Sequence, residues 1–287
     1  MRFVSYNIQY SKGKDGCYDL ERIADAVRSA DVIALQEVVR NVEALPDKDQ
    51  PARLGELLAQ HHWVYGPNVD LDASSKTPDG SVEHRRLQFG NMVLSRWPIL
   101  SCRNLLLPRV RVINAHGAQH GALETIIDAP SGPLRCYSVH LDSVNSRLRR
   151  TTIEFLLPLM FGVPFNGASV TGIEWMGIGE SPAPSEFVVM GDFNLTPTST
   201  EYPLIVGEAD YYYGHTLAGD RLVDTWTAAG NSLDEGITWY DESRGFEVGL
   251  RLDYGFVTPG LASTVESAWI DVDAVGSDHQ PTWFKLN

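Results

Sequence analysis

Apolar positions along the chain switch repeatedly between a period of two and a period of three to four. Phe3-Val4-Ser5-Tyr6 opens as a strand-like run. After Asp19, a residue suited to cap a helix, Leu20, Ile23, Ala24 and Val27 fall on one helical face. Residues 31–37 then read as a buried strand ending in the acid Glu37, and a second helix is predicted over 51–62 with Leu54, Leu57 and Leu58 inward. Strands are predicted over 91–96 before Trp97-Pro98, over 122–127 before the turn-rich stretch 128–133, and over 134–140. A helix over 146–157 and a buried strand over 186–191 follow, with late strands over 250–258, 263–270 and 282–286. Hairpin-like strand pairs mixed with strand–helix units predict an α/β protein of two mixed sheets packed face to face, with helices outside. No repeat, heptad or long linker divides the chain, so a single domain over 1–287 is expected.

One stretch stands apart. Residues 158–184 carry many Gly and Pro beside Met160, Phe161, Phe165, Trp175 and Met176, which predicts an insertion loop too apolar for simple disorder. Two roles fit it: a packed surface loop or oligomer contact, and a lid over an apolar part of a substrate. Tyr211-Tyr212-Tyr213 would add a wall to such a pocket.

Composition narrows the function. The 23 basic and 37 acidic residues leave a net charge of −14, which opposes gripping long nucleic acid by phosphate neutralisation. A small phosphate ester stays compatible, because a divalent cation in a carboxylate-lined site reverses the local field. Cys17, Cys102 and Cys136 are too few and too scattered for a disulfide framework or a zinc site. No signal-peptide pattern follows Met1, and the apolar run 155–165 is short and broken by Pro158 and Pro164. A cytoplasmic protein without a transmembrane segment is the expectation.

Polar residues recur where apolar strands end: Asn7, Glu37, His140, then Asp192 and Asn194 after 187–191, Asp253, and Asp278-His279 before the last strand. Strand ends at one edge of a sheet sandwich converge into a cleft. Carboxylates, imidazoles and amides together are what metal-assisted cleavage of a phosphate ester needs. Carboxylate oxygens suit Mg²⁺ or Mn²⁺, a carboxylate can deprotonate water, and imidazolium and amide groups can hold charge on the phosphoryl oxygens. Each residue alone also has a plain structural role as a turn, cap or strand-end charge. Their order along the chain is what departs from that.

That order resembles the endonuclease/exonuclease/phosphatase superfamily. The resemblance runs through Ser5-Tyr6-Asn7-Ile8, Leu35-Gln36-Glu37, Gly90-Asn91, Ser95-Arg96-Trp97-Pro98 and Ser138-Val139-His140-Leu141-Asp142. It continues through Gly191-Asp192-Phe193-Asn194, Leu252-Asp253-Tyr254 and Ser277-Asp278-His279. It implies a four-layer α/β/β/α sandwich that hydrolyses phosphate esters with Mg²⁺ or Mn²⁺. Under it Asn7, Glu37, Asp192 and Asp278 stand at the metal, and Asn7, Asn91 and Asn194 at the substrate. Asp192 orients or deprotonates water, and His279, oriented by Asp253, stabilises the transition state. His140 matches a histidine of members such as pancreatic deoxyribonuclease, sphingomyelinases and inositol phosphatases.

Apurinic endonucleases typically lack that histidine and place a lysine shortly after Leu-Gln-Glu, where this chain has Val38-Val39-Arg40. The expectation is therefore a phosphodiesterase acting on a small or lipid-like phosphodiester, with a DNA or RNA nuclease as the alternative. An inactive binding module is opposed by the presence of every catalytic residue type. Glu83, Glu124 and Asp142 are candidates to orient His140, and His84, His116 and His120 read as surface or structural histidines.

Overall fold

The computed structural model describes residues 1–287 and places twelve strands in two six-stranded sheets. In chain order these are β1 (Arg2–Asn7), β2 (Val32–Arg40), β3 (His62–Asp72), β4 (Arg86–Ser95), β5 (Ile99–Leu106) and β6 (Gly121–Ala129). They continue as β7 (Gly132–His140), β8 (Phe187–Asp192), β9 (Val223–Asp224), β10 (Asp253–Val257), β11 (Val265–Ile270) and β12 (Thr282–Leu286). The first sheet runs β11-β12-β1-β2-β4-β3 and the second β9-β10-β8-β7-β6-β5. Each has one parallel pair at its centre, β1 with β2 and β7 with β8.

Three buried apolar clusters define four layers. Phe3, Ala34, Val93, Val188, Met190 and Phe284 fill the space between the sheets, where the Phe3 and Phe284 rings stack at 4.9 Å. Val4, Tyr6, Ile33 and Leu35 point the other way, onto Leu20, Ile23 and Val27 of α1 (Leu20–Val27) and Leu54 of α2 (Gln50–Leu57). On the far side Tyr137, Val139, Phe187 and Val189 meet Ile153, Leu156 and Met160 of α3 (Ser146–Asn166) and Ile205 of α4 (Tyr202–Val206). Central strands buried on both faces explain why their sequences read as continuous apolar runs. This is the expected α/β/β/α sandwich. No helix is long and apolar enough to cross a membrane.

Several boundaries differ from the sequence expectation. Helix α2 ends at Leu57, and β3 begins at His62; its bulge between Pro67 and Val69 hides the strand's alternation. Helix α3 runs on to Asn166 through both Pro158 and Pro164, so the first nine residues of the expected insertion loop are helical. Pro164 has no N–H for the carbonyl of Met160, four residues earlier. The fully buried guanidinium of Arg135 supplies that donor from Nη1 at 2.7 Å. The same group donates to Pro184 O at 2.7 Å and Ser185 O at 3.1 Å, so it ties the returning loop to the start of β7.

That tie also decides where the loop lies. Helix α3 begins beside the end of β7 and is about 31 Å long at 1.5 Å per residue. Residues 167–186 then lead directly to Phe187, the end of β8 remote from Asp192.

Candidate active site

The polar strand ends of both central parallel pairs meet at one edge of the sandwich. Asn7 ends β1, Glu37 lies in β2, and His140 and Asp192 end β7 and β8 side by side in register. Asn7 joins the sheets: its Nδ2 donates to Asp192 Oδ2 at 3.0 Å and to Glu37 Oε1 at 3.3 Å. Its Oδ1 accepts from the backbone N–H of Gln9 at 3.1 Å, which fixes the amide's orientation. Asn7 thus stands between the two carboxylates, one from each sheet, with its amide oxygen held by the backbone.

Local backbone strain aims these groups. Glu37 sits at φ 60° in a bulge where the β2–β4 register shifts between Leu35 and Val38. A bulge turns one side chain out of the pleat at a cost in local strain. Three successive residues after β1, Gln9, Tyr10 and Ser11, have φ of 42°, 52° and 70°. Side-chain-bearing residues rarely adopt such a run. It is held by Gln50 Nε2 on Tyr10 O at 2.8 Å and by Gln9 Nε2 on Asp278 Oδ2 at 3.1 Å. Asn194, at φ 51°, donates its N–H to Asp192 Oδ1 at 2.9 Å and its Nδ2 to Leu141 O at 2.9 Å.

His279 Nδ1 lies 2.8 Å from Asp253 Oδ2, so the acid fixes the ring and leaves Nε2 facing Asp192 Oδ2 at 3.8 Å. Asp278 Oδ2 also accepts from Trp239 Nε1 at 3.0 Å. His140 Nε2 stands 3.6 Å from Asp192 Oδ2 and 3.9 Å from Glu37 Oε1.

Burial and like charge govern the electrostatics. Burial raises Glu37 above its ordinary range, with His279 and Asn7 opposing. Burial and the neighbouring Asp253 push Asp192 up to about 7, against His279. Burial alone would lower His279, but the carboxylates of Asp253 and Asp192 outweigh it and push it up to about 10. His140 moves the other way: burial, then His120 and His279, hold it well below the usual histidine range. The site therefore pairs one cationic imidazole with one neutral one.

The cleft above this floor has a volume of about 590 Å³. Tyr10 and Phe89 line it at one place, Trp239, Leu250 and Leu252 at another, and His116, Ala118 and His120 at a third. No lysine or arginine lines it. Ligand atoms of Asp192, Asp253 and His279 lie within 4.8 Å of one another. Asp253 is already matched by His279, so the uncompensated charge lies on Glu37 and Asp192. Two hard oxygen donors raised by burial and short of positive charge fit a divalent cation of the Mg²⁺ or Mn²⁺ type.

Not every expected residue reaches the cleft. Asn91 is fully buried, and its Nδ2 donates to Gly121 O and Ser138 O, both at 2.9 Å; it ties the sheets together and is not among the residues that line the cleft. None of residues 158–184 lines the cleft, nor do Tyr211, Tyr212 and Tyr213, so the lid and the tyrosine wall are both set aside. Glu124 is bound by Arg103 and Tyr137, Glu83 sits on an exposed hairpin, and Asp142 faces His120; none orients His140. Conversely His120, read as surface or structural, lines the cleft. Gln9 and Tyr10 had no signal in the sequence, because no periodicity marks a left-handed turn.

Residues 4–279 match the Endonuclease/Exonuclease/phosphatase family, and the chain belongs to it. This is a family of hydrolases. Solved structures agree in fold. A family protein from Beutenbergia cavernae is 24% identical, with a TM-score of 0.64 over 100% of this chain and 72% of that one. A mannosyl-6-phosphatase from Bacteroides thetaiotaomicron is 15% identical (TM-score 0.60, 100% and 99% covered). A 3'-5' exonuclease from Neisseria meningitidis is 16% identical (TM-score 0.57, 100% of both chains covered). No curated protein matches the chain.

Proposed function

We propose that this chain is a Mg²⁺- or Mn²⁺-dependent phosphoric ester hydrolase that cleaves a small or lipid-like phosphodiester by in-line attack of water. The observation that carries the reading is the floor of the cleft, where Glu37, Asp192, Asn194, His140 and His279 converge from both sheets. Glu37 would hold the cation with help from Asp192 and Asp278; the cation would supply charge neutralisation at the phosphoryl oxygens. Asn7 holds Glu37 and Asp192 in place. Asp192 accepts the proton of the attacking water, a role suited to a carboxylate raised toward neutral pH. Cationic His279, fixed by Asp253, donates to a phosphoryl oxygen as charge builds there. Neutral His140 lies beside the same carboxylates, positioned to hydrogen-bond the phosphate or the leaving oxygen.

Two features favour a diester of modest size. A diester brings one negative charge into a cleft without lysine or arginine, whereas a monoester brings about 1.5 to 2. The apolar walls at Tyr10, Phe89, Trp239, Leu250 and Leu252 suit an uncharged esterifying group. A nuclease is the second reading, favoured by residues 107–120 at the rim, which hold Arg109, Arg111, His116 and His120 and no acid.

The test is a hydrolysis panel with Mg²⁺ or Mn²⁺ containing a nitrophenyl phosphodiester, its monoester, a phosphocholine lipid, a hexose 6-phosphate, supercoiled DNA and single-stranded RNA. Turnover of the small diester or lipid without nicking is expected. Efficient cleavage of DNA or RNA would establish the nuclease reading instead, and turnover of monoesters alone would overturn both.

A further inference from the structure

A histidine that acts at a reacting centre has its ring fixed through the nitrogen that does not react, as His279 is fixed by Asp253. His140 lacks that arrangement: its Nδ1 is buried without a protein hydrogen-bond partner. Its cross-strand neighbour gives no support either. The residue opposite His140 in the β6–β7 ladder is Gly121, where a Cβ would lie 1.9 Å from Asn68 Oδ1. What abuts the ring is the residue before that glycine. The His120 ring stands edge-on to His140, with centroids 4.7 Å apart and planes at 80°. Phe89 makes a looser, tilted contact at 6.2 Å.

His120 is itself well placed. Its backbone carbonyl accepts from Leu107 N at 3.0 Å and Gln119 Nε2 at 2.9 Å. Its Nε2 faces Asp142 Oδ2 at 3.8 Å, while Asp142 Oδ1 accepts from the N–H groups of Val144 and Asn145 at 3.0 and 2.8 Å. Asn145 in turn caps α3. A chain of contacts thus runs from the helix start through Asp142 to the edge of the His140 ring, with the His120 ring itself held by packing and its Nδ1 unpartnered.

We propose that His120 is a positioning residue for His140, and that it acts by edge-on ring packing in place of a hydrogen bond to Nδ1. This rests on the reading of the cleft as a phosphoesterase site. An aromatic edge preserves the function without any ring nitrogen, so His120→Phe retains it and His120→Ala does not. An ångström-scale misplacement at a reacting centre costs about 10- to 100-fold in rate.

The experiment compares wild type, His120→Ala and His120→Phe on the best substrate of the panel, with thermal melts alongside and ¹⁵N-histidine NMR of the His140 ring. His120→Ala is expected to lower kcat about 10- to 100-fold with little change in KM, and to broaden or split the His140 signals. His120→Phe is expected to recover kcat to within a few-fold of wild type and a single sharp His140 signal. If His120→Ala does not fold, His120→Leu, which fills the space without a flat edge, replaces it in the same comparison. Equal kcat in wild type and His120→Ala overturns the proposal, as does a His120→Phe protein as slow as His120→Ala, or a loss confined to KM. The NMR comparison needs no turnover, so a wild-type protein inactive on every substrate would refute the phosphoesterase reading and still leave the packing claim decided.

Discussion

Replacing Arg135 with Met tests the structural account at the end of the sandwich opposite the cleft. The guanidinium serves the buried carbonyl of Met160 and the partly buried ones of Pro184 and Ser185, and also donates to Tyr137 Oη at 3.0 Å. An unpaired buried carbonyl costs about 1–3 kcal/mol, and the two partly buried ones, within reach of water, cost less, so about 2–5 kcal/mol is lost in all. Met fills much of the volume, and removing a buried cation recovers part of its desolvation cost. The expected net loss is about 2–3 kcal/mol, a sizeable share of the stability of an ordinary domain. Urea denaturation followed by far-ultraviolet circular dichroism reads this as a lower midpoint at unchanged slope. The cause is isolated by adding Pro164→Ala, which restores an N–H four residues after Met160. Pro164→Ala should stabilise Arg135→Met by about 1 kcal/mol more than it stabilises wild type. An Arg135→Met protein within 1 kcal/mol of wild type, or a cycle without coupling, would refute the claim that Arg135 replaces the donor Pro164 lacks.

Glu37→Gln should weaken Mg²⁺ binding at least about tenfold by isothermal titration calorimetry, since it removes the main anionic ligand; unchanged affinity would remove Glu37 from the metal site. Gly121→Ala should cost about 1–3 kcal/mol in chemical denaturation, because its Cβ would fall on the Asn68 amide packed between strands. The pH dependence follows from His61, whose ring contacts Ala30 O at 3.0 Å and whose burial lowers its pKa. An unfolded His61 takes up a proton below about 6.5 while the folded one resists. The His61 contribution should therefore be constant above that pH and fall below it, so the drop in urea midpoint from pH 7.5 to 5.5 should be smaller in His61→Gln than in wild type; an equal drop in the two would refute it.

The layered architecture was legible because central strands such as Phe187–Asp192 are apolar on both faces and the helices carry one apolar stripe. The site's polar residues were legible because each ends such a strand, where no core role explains it. What the sequence concealed depends on three-dimensional substitution. Pro158 and Pro164 read as the end of a helix, because nothing local shows that Arg135, some 25 residues earlier, supplies the missing donor. Asn91 belongs to a motif, and its Nδ2 is engaged by two carbonyls of the facing sheet, which no local pattern reveals. His120 carries no periodic signal; only the pairing of Gly121 with His140 across the ladder brings its ring beside that of His140.

The central claim is metal-dependent hydrolysis of a phosphodiester with Asp192 as the group that takes the proton from water. The most direct measurement is the initial rate on a nitrophenyl phosphodiester at saturating Mn²⁺, for wild type, wild type with excess EDTA, and Asp192→Ala. Turnover by wild type is expected, with its loss in EDTA and recovery on adding metal back, and a fall of about 10²- to 10⁴-fold in Asp192→Ala with the melting temperature preserved. Turnover that survives chelation, or an Asp192→Ala protein as fast as wild type, would contradict it.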